Sequence, residues 1–293
     1  MTSDLNAQMI LDWFHRTIAC SEVVFTLLNR GVRVEREVEE QAAHALCGGV
    51  LGHGHACGQL WGAALATAVR AQEHFRDPKV AGAATLFVTF RLANEFRSVA
   101  GSLDCREIIE GSLTTIGARV TYLVSGKPRR CRGIAVKWAP FADELIDRLL
   151  GEFDPKTLKE EPANCAMKTM CAMGVEKDAV LAGGFAGGVG LMGNVCGALA
   201  AGIFALGLRF YRRRRGPRDS ALKALLQEAG IGDTSSRVAT RLLEAFCKEY
   251  GTPLCARLIR YRFESIDDHS RFVTAGGCCD LINSISESAK GMP

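Results

Sequence analysis

Twelve cysteines in a chain of 293 residues are the side chains best equipped for chemistry. A thiolate ligates soft metals and attacks disulfides, and a chain of this length buries a core without cross-links, so the thiols need another purpose. Their spacing becomes informative once the chain is compared with itself. Cys47 to Arg70, CGGVLGHGHACGQLWGAALATAVR, aligns without gaps on Ala186 to Arg209, AGGVGLMGNVCGALAAGIFALGLR, with nine of 24 positions identical. Arg91 to Cys105 (RLANEFRSVAGSLDC) aligns on Arg241 to Cys255 (RLLEAFCKEYGTPLC). Cys20 then matches Cys165, and Cys131 in CRGI matches Cys279 in CDLI. Eight cysteines thus form two ordered sets, Cys20, Cys57, Cys105 and Cys131, then Cys165, Cys196, Cys255 and Cys279. Cys47, Cys171, Cys247 and Cys278 have no counterpart and read as small buried hydrophobes or incidental thiols.

Neither set contains a CxxC pair, so its four sulfurs can meet only through tertiary folding. Zinc ribbons and knuckles present paired ligands on tight turns, whereas an iron-sulfur cluster takes four Cys thiolates surrounded by backbone N–H groups. The glycines before and after the central cysteine, Gly48, Gly49, Gly54 and Gly58 with Gly187, Gly188, Gly193 and Gly197, remove side chains where a cofactor or another helix comes close. They are the candidate cofactor-binding positions.

The elements that must position these groups are helices. Helix-period apolar positions run through Ala7 to Asn29, Val34 to Leu46, Cys57 to Phe75, Ala84 to Val99, Leu103 to Glu110 and Pro140 to Leu150, and the second copy repeats the order. Only Val120 to Val124 (VTYLV) reads as a strand. The expected fold is all-α, two homologous helical repeats packed as a pseudo-dimer, at residues 1–150 and 151–293, joined by the polar stretch GEFDPKTLKEEP. Ser102 and Thr252 read as N-caps that put Cys105 and Cys255 at the third helical position, and Asn194 as an N-cap two residues before Cys196. Free amides and the helix dipole there favour thiolate over thiol.

The order Cys, Gly-rich loop leading into GxxCGxLxG, Cys after a Phe-containing helix ending in Gly, then a last Cys near a helix start resembles the redox-active family named for its C, GCAxxG, C, C pattern. Related segments occur in split-Soret cytochromes. The resemblance covers most of both copies. It implies an all-helical redox domain with an iron-sulfur cluster, of a type the sequence does not specify, on Cys20, Cys57, Cys105 and Cys131 and on Cys165, Cys196, Cys255 and Cys279. The motif departs from the family pattern as CGQLWG in the first copy, with Gln59, and CGALAA in the second, with Ala201 for the last Gly. There is no CxxCH, so covalent haem is not supported. The duplication suggests two halves imitating a dimer, with one site each or with eight thiolates shared across the interface.

Other classes are weaker. A formal charge of +4, from 36 Lys plus Arg against 32 Asp plus Glu, does not point to nucleic acid. The tract Arg212 to Arg215 with Arg218 reads as a solvated loop, or as a dock for an acidic redox partner. Met1 to Cys20 lacks the basic and apolar regions of a secretory signal, so a cytoplasmic setting is expected. Ala179 to Leu208 carries no charge but nine glycines, and reads as a glycine loop plus a buried helix rather than a membrane span. His53 and His55 are replaced by Met192 and Asn194 in the second copy, which sets them outside the shared site. Glu107 and Asp280 read as first-turn carboxylates rather than proton relays. No Ser/His/Asp set, P-loop or strand-linked GxGxxG is present. The expected function is electron transfer on iron-sulfur clusters, with a redox protein or oxidoreductase as partner. A thiol-disulfide oxidoreductase or sensor and a structural helical protein are the alternatives, enzymatic activity is left open, and a homo-oligomer is compatible with the sequence.

Overall fold

Alanine- and glycine-rich apolar stretches favour close helix packing, and the computed structural model, which describes residues 4–17, 19–30, 36–213 and 234–292, is built of helices joined by loops, with no strand beyond two isolated bridges among those residues. The first repeat runs α1 (Ala7–Arg16), α2 (Cys20–Asn29), α3 (Glu37–Ala42) with a 3₁₀ turn Ala43–Leu46, α4 (Gly58–His74), α5 (Pro78–Ala100), α6 (Cys105–Ile108), α7 (Ile116–Val124) and α8 (Lys127–Glu152). The second runs α9 (Cys165–Ala172), a 3₁₀ segment Glu176–Phe185, α10 (Gly197–Arg213), α11 (Thr234–Tyr250), α12 (Cys255–Leu258), α13 (Ile266–Thr274) and α14 (Cys279–Lys290). No helix among the described residues is long and apolar enough to cross a membrane.

Several sequence expectations are corrected. Ala7 to Asn29 is two helices, because Thr17 takes an extended conformation and its hydroxyl bonds Glu22 at 3.1 Å and the Ala19 amide at 3.3 Å. The VTYLV segment is the end of α7 rather than a strand, since Thr115 caps the Ala118 amide at 3.2 Å and starts a helix that β-branched residues complete. The reading of Leu103 to Glu110 as one helix shrinks to α6, and Pro140 lies inside α8 rather than starting it.

The repeats share one continuous core. The ring of Trp61 on α4 meets Phe185 edge-on at 4.9 Å, and Phe185 meets Phe204 of α10 at 6.1 Å. The two halves repeat each other in detail: Arg70 of α4 donates to the Leu28 carbonyl of α2 as Arg209 of α10 does to the Met173 carbonyl at the end of α9. Arg70 also pairs with Asp143 and Asp147. Each repeat lends its long helix to the other's glycine loop. Thr89 of α5 lies against Gly190, and Ser236 and Thr240 of α11 line the first site.

Gly62 sets how closely α2 and α4 approach. A methyl group there would lie 2.4 Å from the Ser21 carbonyl oxygen, which is backbone and cannot swing away. Gly62→Ala is therefore expected to destabilise the chain by about 1–3 kcal/mol, read as a lower denaturation midpoint. An unchanged midpoint would mean the helices separate without cost.

Candidate thiol redox site

Two loops build each site. The chain from Gly48 to His55 turns on itself, with Gly54 N–H donating to the Gly48 carbonyl at 2.9 Å and His55 N–H to Gly49 at 3.1 Å. The second loop repeats these bonds as Gly193 to Gly187 at 2.9 Å and Asn194 to Gly188 at 3.2 Å. Gly49 and Gly188 are at φ +72° and +81°, and a Cβ at either would lie 2.3–2.4 Å from the backbone of His55 or Asn194. Only glycine fits such a fold-back. Gly48, Gly54, Gly187 and Gly193 also have positive φ, while the missing Cβ of Gly58 leaves room for the Cys20 sulfur and that of Gly197 for the Phe185 carbonyl. These glycines shape the loops and admit neighbouring protein.

A short antiparallel bridge then clamps two cysteines. Ala56 pairs with Asp104 and Val195 with Leu254. Cys57 N–H donates to Leu103 at 2.8 Å and Cys105 N–H to His55 at 2.7 Å, repeated by Cys196 to Pro253 and Cys255 to Asn194, both 2.7 Å. This corrects the expected caps. Asp104 and Leu254 occupy the cap positions, Cys105 and Cys255 are the first helical residues, and the Ser102 and Thr252 hydroxyls accept from Asp104 N–H and Leu254 N–H at 3.0 and 3.2 Å. Asn194 does not cap α10. Its side-chain oxygen accepts from Ala56 N–H and Val195 N–H, both at 2.9 Å, and its amide donates to Asp104 at 2.7 Å, stitching the two repeats together.

In the first repeat Cys20, Cys57, Cys105 and Cys131 border one cavity of about 180 Å³, together with Cys47. Cys47 lies 3.7 Å, sulfur to sulfur, from Cys20. Tyr122 donates its hydroxyl to the Cys131 sulfur at 3.3 Å, and Gln59 holds the Cys131 carbonyl at 2.9 Å. In the second repeat Cys165, Cys196 and Cys255 are buried and act electrostatically on one another. The residue that joins them is Cys278, which is buried and raises the Cys165 thiol, whereas Cys279 is exposed.

Helix register sets Cys278, rather than the Cys279 of the CRGI/CDLI match, in the place of Cys131. Ile134, Ala135, Trp138 and Ala142 are buried at the third, fourth, seventh and eleventh positions after Cys131. Leu281, Ile282, Ile285 and Ala289 are buried at the same steps after Cys278. A one-residue shift rotates a helical side chain by about 100°. The apolar pattern carried the signal, and local identity around the adjacent cysteine obscured it.

His269, wholly buried on α13, is a further group that sequence reasoning did not find. Its Nε2 lies 3.3 Å from the Cys165 sulfur. His53 and His55 stack on each other at 6.5 Å, and burial pushes His55 down to about 4. Glu107 accepts from Ser102. Arg212 pairs with Asp178 at 2.6 Å and with Glu39 of the first repeat at 3.7 Å, so it is not part of a solvated loop. Arg214, Arg215 and Arg218 of the same tract lie outside the described residues. All twelve cysteines are free thiols, with Cys171 exposed and Cys247 half-buried.

The thiolate character expected at the helix-start cysteines Cys105, Cys196 and Cys255 is not found, since all three thiols are raised, and the one lowered thiol among the matched cysteines is Cys20. Hydrogen bonds from Cys47, then Cys57, hold the Cys20 thiol well below its ordinary value. Donation to Cys20 raises Cys47 and Cys57. Burial raises Cys105 and Cys255, takes Cys131 to about 11 and takes Cys196 to about 12. Cys165 is raised first by Cys278. At Cys105 and Cys255 the helix-start amides are consumed by the clamp, and at Cys196 desolvation outweighs the lowering by the Ala198 and Leu199 amides. A raised folded-state value means the folded chain keeps protons the unfolded chain releases, so this stability is present at neutral pH and lost in base. Reduced, metal-free protein should melt at progressively lower temperature from about pH 8.5 upward, through about 11 and 12. A midpoint that is flat or rises over that range would contradict the burial of these thiols.

Among the described residues, no three His, Cys, Asp or Glu side chains form a group that could hold a metal ion as they stand. The thiols of the first repeat are spread round the cavity wall. Fold and site together define a class: an all-helical domain in which a folded-back glycine loop and a bridge bring four cysteines together, here present twice. The chain matches the family described as "Putative redox-active protein (C_GCAxxG_C_C)" over residues 18–145 and again over 163–292, and it belongs to that family as a tandem duplication. No curated protein and no solved structure matches the chain.

Proposed function

We propose that each repeat holds one iron-sulfur cluster and that the chain carries electrons to or from a redox partner protein. The observation behind this reading is that in both repeats the same backbone clamp fixes two cysteines, with two more from distant parts of the sequence beside them, Cys20 and Cys131 on the first cavity and Cys165 and Cys278 in the second repeat. Cys20, Cys57, Cys105 and Cys131 would hold the first cluster, and Cys165, Cys196, Cys255 and Cys278 the second, in place of the Cys279 expected from the motif. The donor set fits, since four thiols per site are what such a cluster takes, and a cluster of several irons spans sulfurs too dispersed for one ion. Bound there, the group supplies one-electron storage. The protein's residues supply the rest: Leu113 and Ile108 help wall the first cavity, Tyr122 donates to the Cys131 sulfur, and the bridge fixes two ligands in each repeat. Each thiol's electrostatic partners among the cysteines belong to its own repeat, which supports two sites over one shared site. In the test, protein loaded anaerobically with iron and sulfide should show visible absorption that bleaches with dithionite and returns on oxidation. Loaded protein whose absorption does not respond would contradict electron transfer.

A second reading has its own observation in the 3.7 Å approach of Cys20 and Cys47. In it the Cys20 thiolate attacks a partner's disulfide and forms a mixed disulfide. Cys47 then displaces the partner as its dithiol, leaving a Cys20–Cys47 disulfide, so two electrons pass to the partner. Loss of one disulfide-equivalent of thiol on oxidation, in iron-free protein and abolished by Cys47→Ser, would favour it.

A further inference from the structure

The two sites differ in what touches their sulfurs, although the helices that lie over them correspond. α7 and α13 are each nine residues long and begin after Thr115 and Ser265, whose hydroxyls accept from Ala118 N–H and Asp268 N–H. In that register His269 stands where the first repeat has Arg119, and Phe272 stands where it has Tyr122. Arg119 turns its Nε to the Leu113 carbonyl at 2.7 Å, and Tyr122 bonds Cys131. In the second repeat the contact moves one helical turn and to another cysteine, from His269 to Cys165.

The imidazole is fixed. It is fully buried, and Phe263 stands edge-on to it at 4.8 Å. Its Nδ1 is buried without a hydrogen-bond partner among the described residues. With the proton on Nδ1 a buried N–H would have no acceptor, whereas on Nε2 it has the Cys165 sulfur at 3.3 Å and only a lone pair is left unpaired. The ring proton therefore belongs on Nε2, aimed at sulfur.

We propose that His269 is a positioning residue of the second site, its Nε2–H holding the Cys165 sulfur so that this site accepts an electron at a higher potential than it would without the ring. The inference rests on the cluster reading for the potential, and on geometry alone for the hydrogen bond. Added electron density spreads onto the ligating sulfurs, and a donor aimed at one of them favours the reduced form. The first site has its donor on Cys131 instead, so the two repeats are not electronic copies.

Two measurements on the full chain separate the parts. In metal-free, reduced, ¹⁵N-histidine-labelled protein, the resonance lost in His269→Gln should show the Nε2-protonated tautomer, and an Nδ1-protonated ring would overturn the hydrogen bond. In iron- and sulfide-loaded protein carrying Cys57→Ser, so that only the second site fills, His269→Leu should lower the midpoint potential and His269→Gln, which keeps an N–H donor, should restore part of it. Equal potentials in all three chains, with unchanged circular dichroism, would overturn the proposal. If no chain takes up iron, the cluster reading and the potential claim fail together, while the tautomer still decides the hydrogen bond.

Discussion

If each repeat holds one cluster as proposed, serine in place of Cys57 or of Cys196 is expected to remove about half of the iron in each case, because each residue would serve one of two four-thiol sites. The two residues occupy equivalent places, directly before α4 and α10 and clamped by Leu103 and Pro253. Both are buried, so the serine hydroxyl enters a site built for sulfur and the remaining three thiols keep their positions. The double variant should hold no iron while retaining helical content, since the clamp uses only the backbone of these residues. Iron per folded chain is the quantity to measure. Complete loss from either single change would mean that the eight thiols serve one shared cluster.

The second large effect separates two adjacent residues. Cys278→Ser is expected to empty the second site, whereas Cys279→Ser should leave iron content at the level of the unmodified chain. Cys278 is 5% exposed and acts on the Cys165 thiol, and Cys279 is exposed at the start of α14. Motif matching by local identity gives the opposite outcome, so iron analysis of the two variants decides between helix register and sequence identity as the guide to the fourth ligand. Loss of iron in Cys279→Ser with retention in Cys278→Ser would overturn the assignment.

Much of this architecture is legible in the sequence because it is written twice. The matched glycines and the pair Cys57 and Cys196 locate the folded-back loops, whose conformations tolerate few other residues at Gly49 and Gly188. Cys105 and Cys255 follow from the shared Gly and Cys after a long helix, although their caps do not. Ser102 and Thr252 bond amides two residues ahead in either a turn or a cap, and the choice was made by the distant carbonyls of His55 and Asn194. Asn194 shows the same limit, since its side chain is committed to Ala56 and Asp104 across the repeat interface. The VTYLV segment has the composition of a strand but no partner strand in a helical chain, and its Thr115 cap prevailed.

His269 and Cys47 were hidden for a different reason. Each breaks the internal symmetry on which the reading depended, with Arg119 and Ala186 at the corresponding places. Self-comparison finds what two copies share and is blind to what distinguishes them. The differences gather at the sulfurs: a fifth thiol and the Tyr122 hydroxyl in the first repeat, and the buried imidazole of His269 in the second.

The central claim is that each repeat gathers four cysteines to hold an iron-sulfur cluster. Quantitative iron and acid-labile sulfide analysis of the full chain purified anaerobically tests it most directly. The expected result is a coloured protein with iron and sulfide in comparable amounts, divided between two sites. A colourless, iron-free and zinc-free protein whose thiol count changes reversibly with redox poise would contradict the claim and leave the Cys20–Cys47 dithiol as the redox centre.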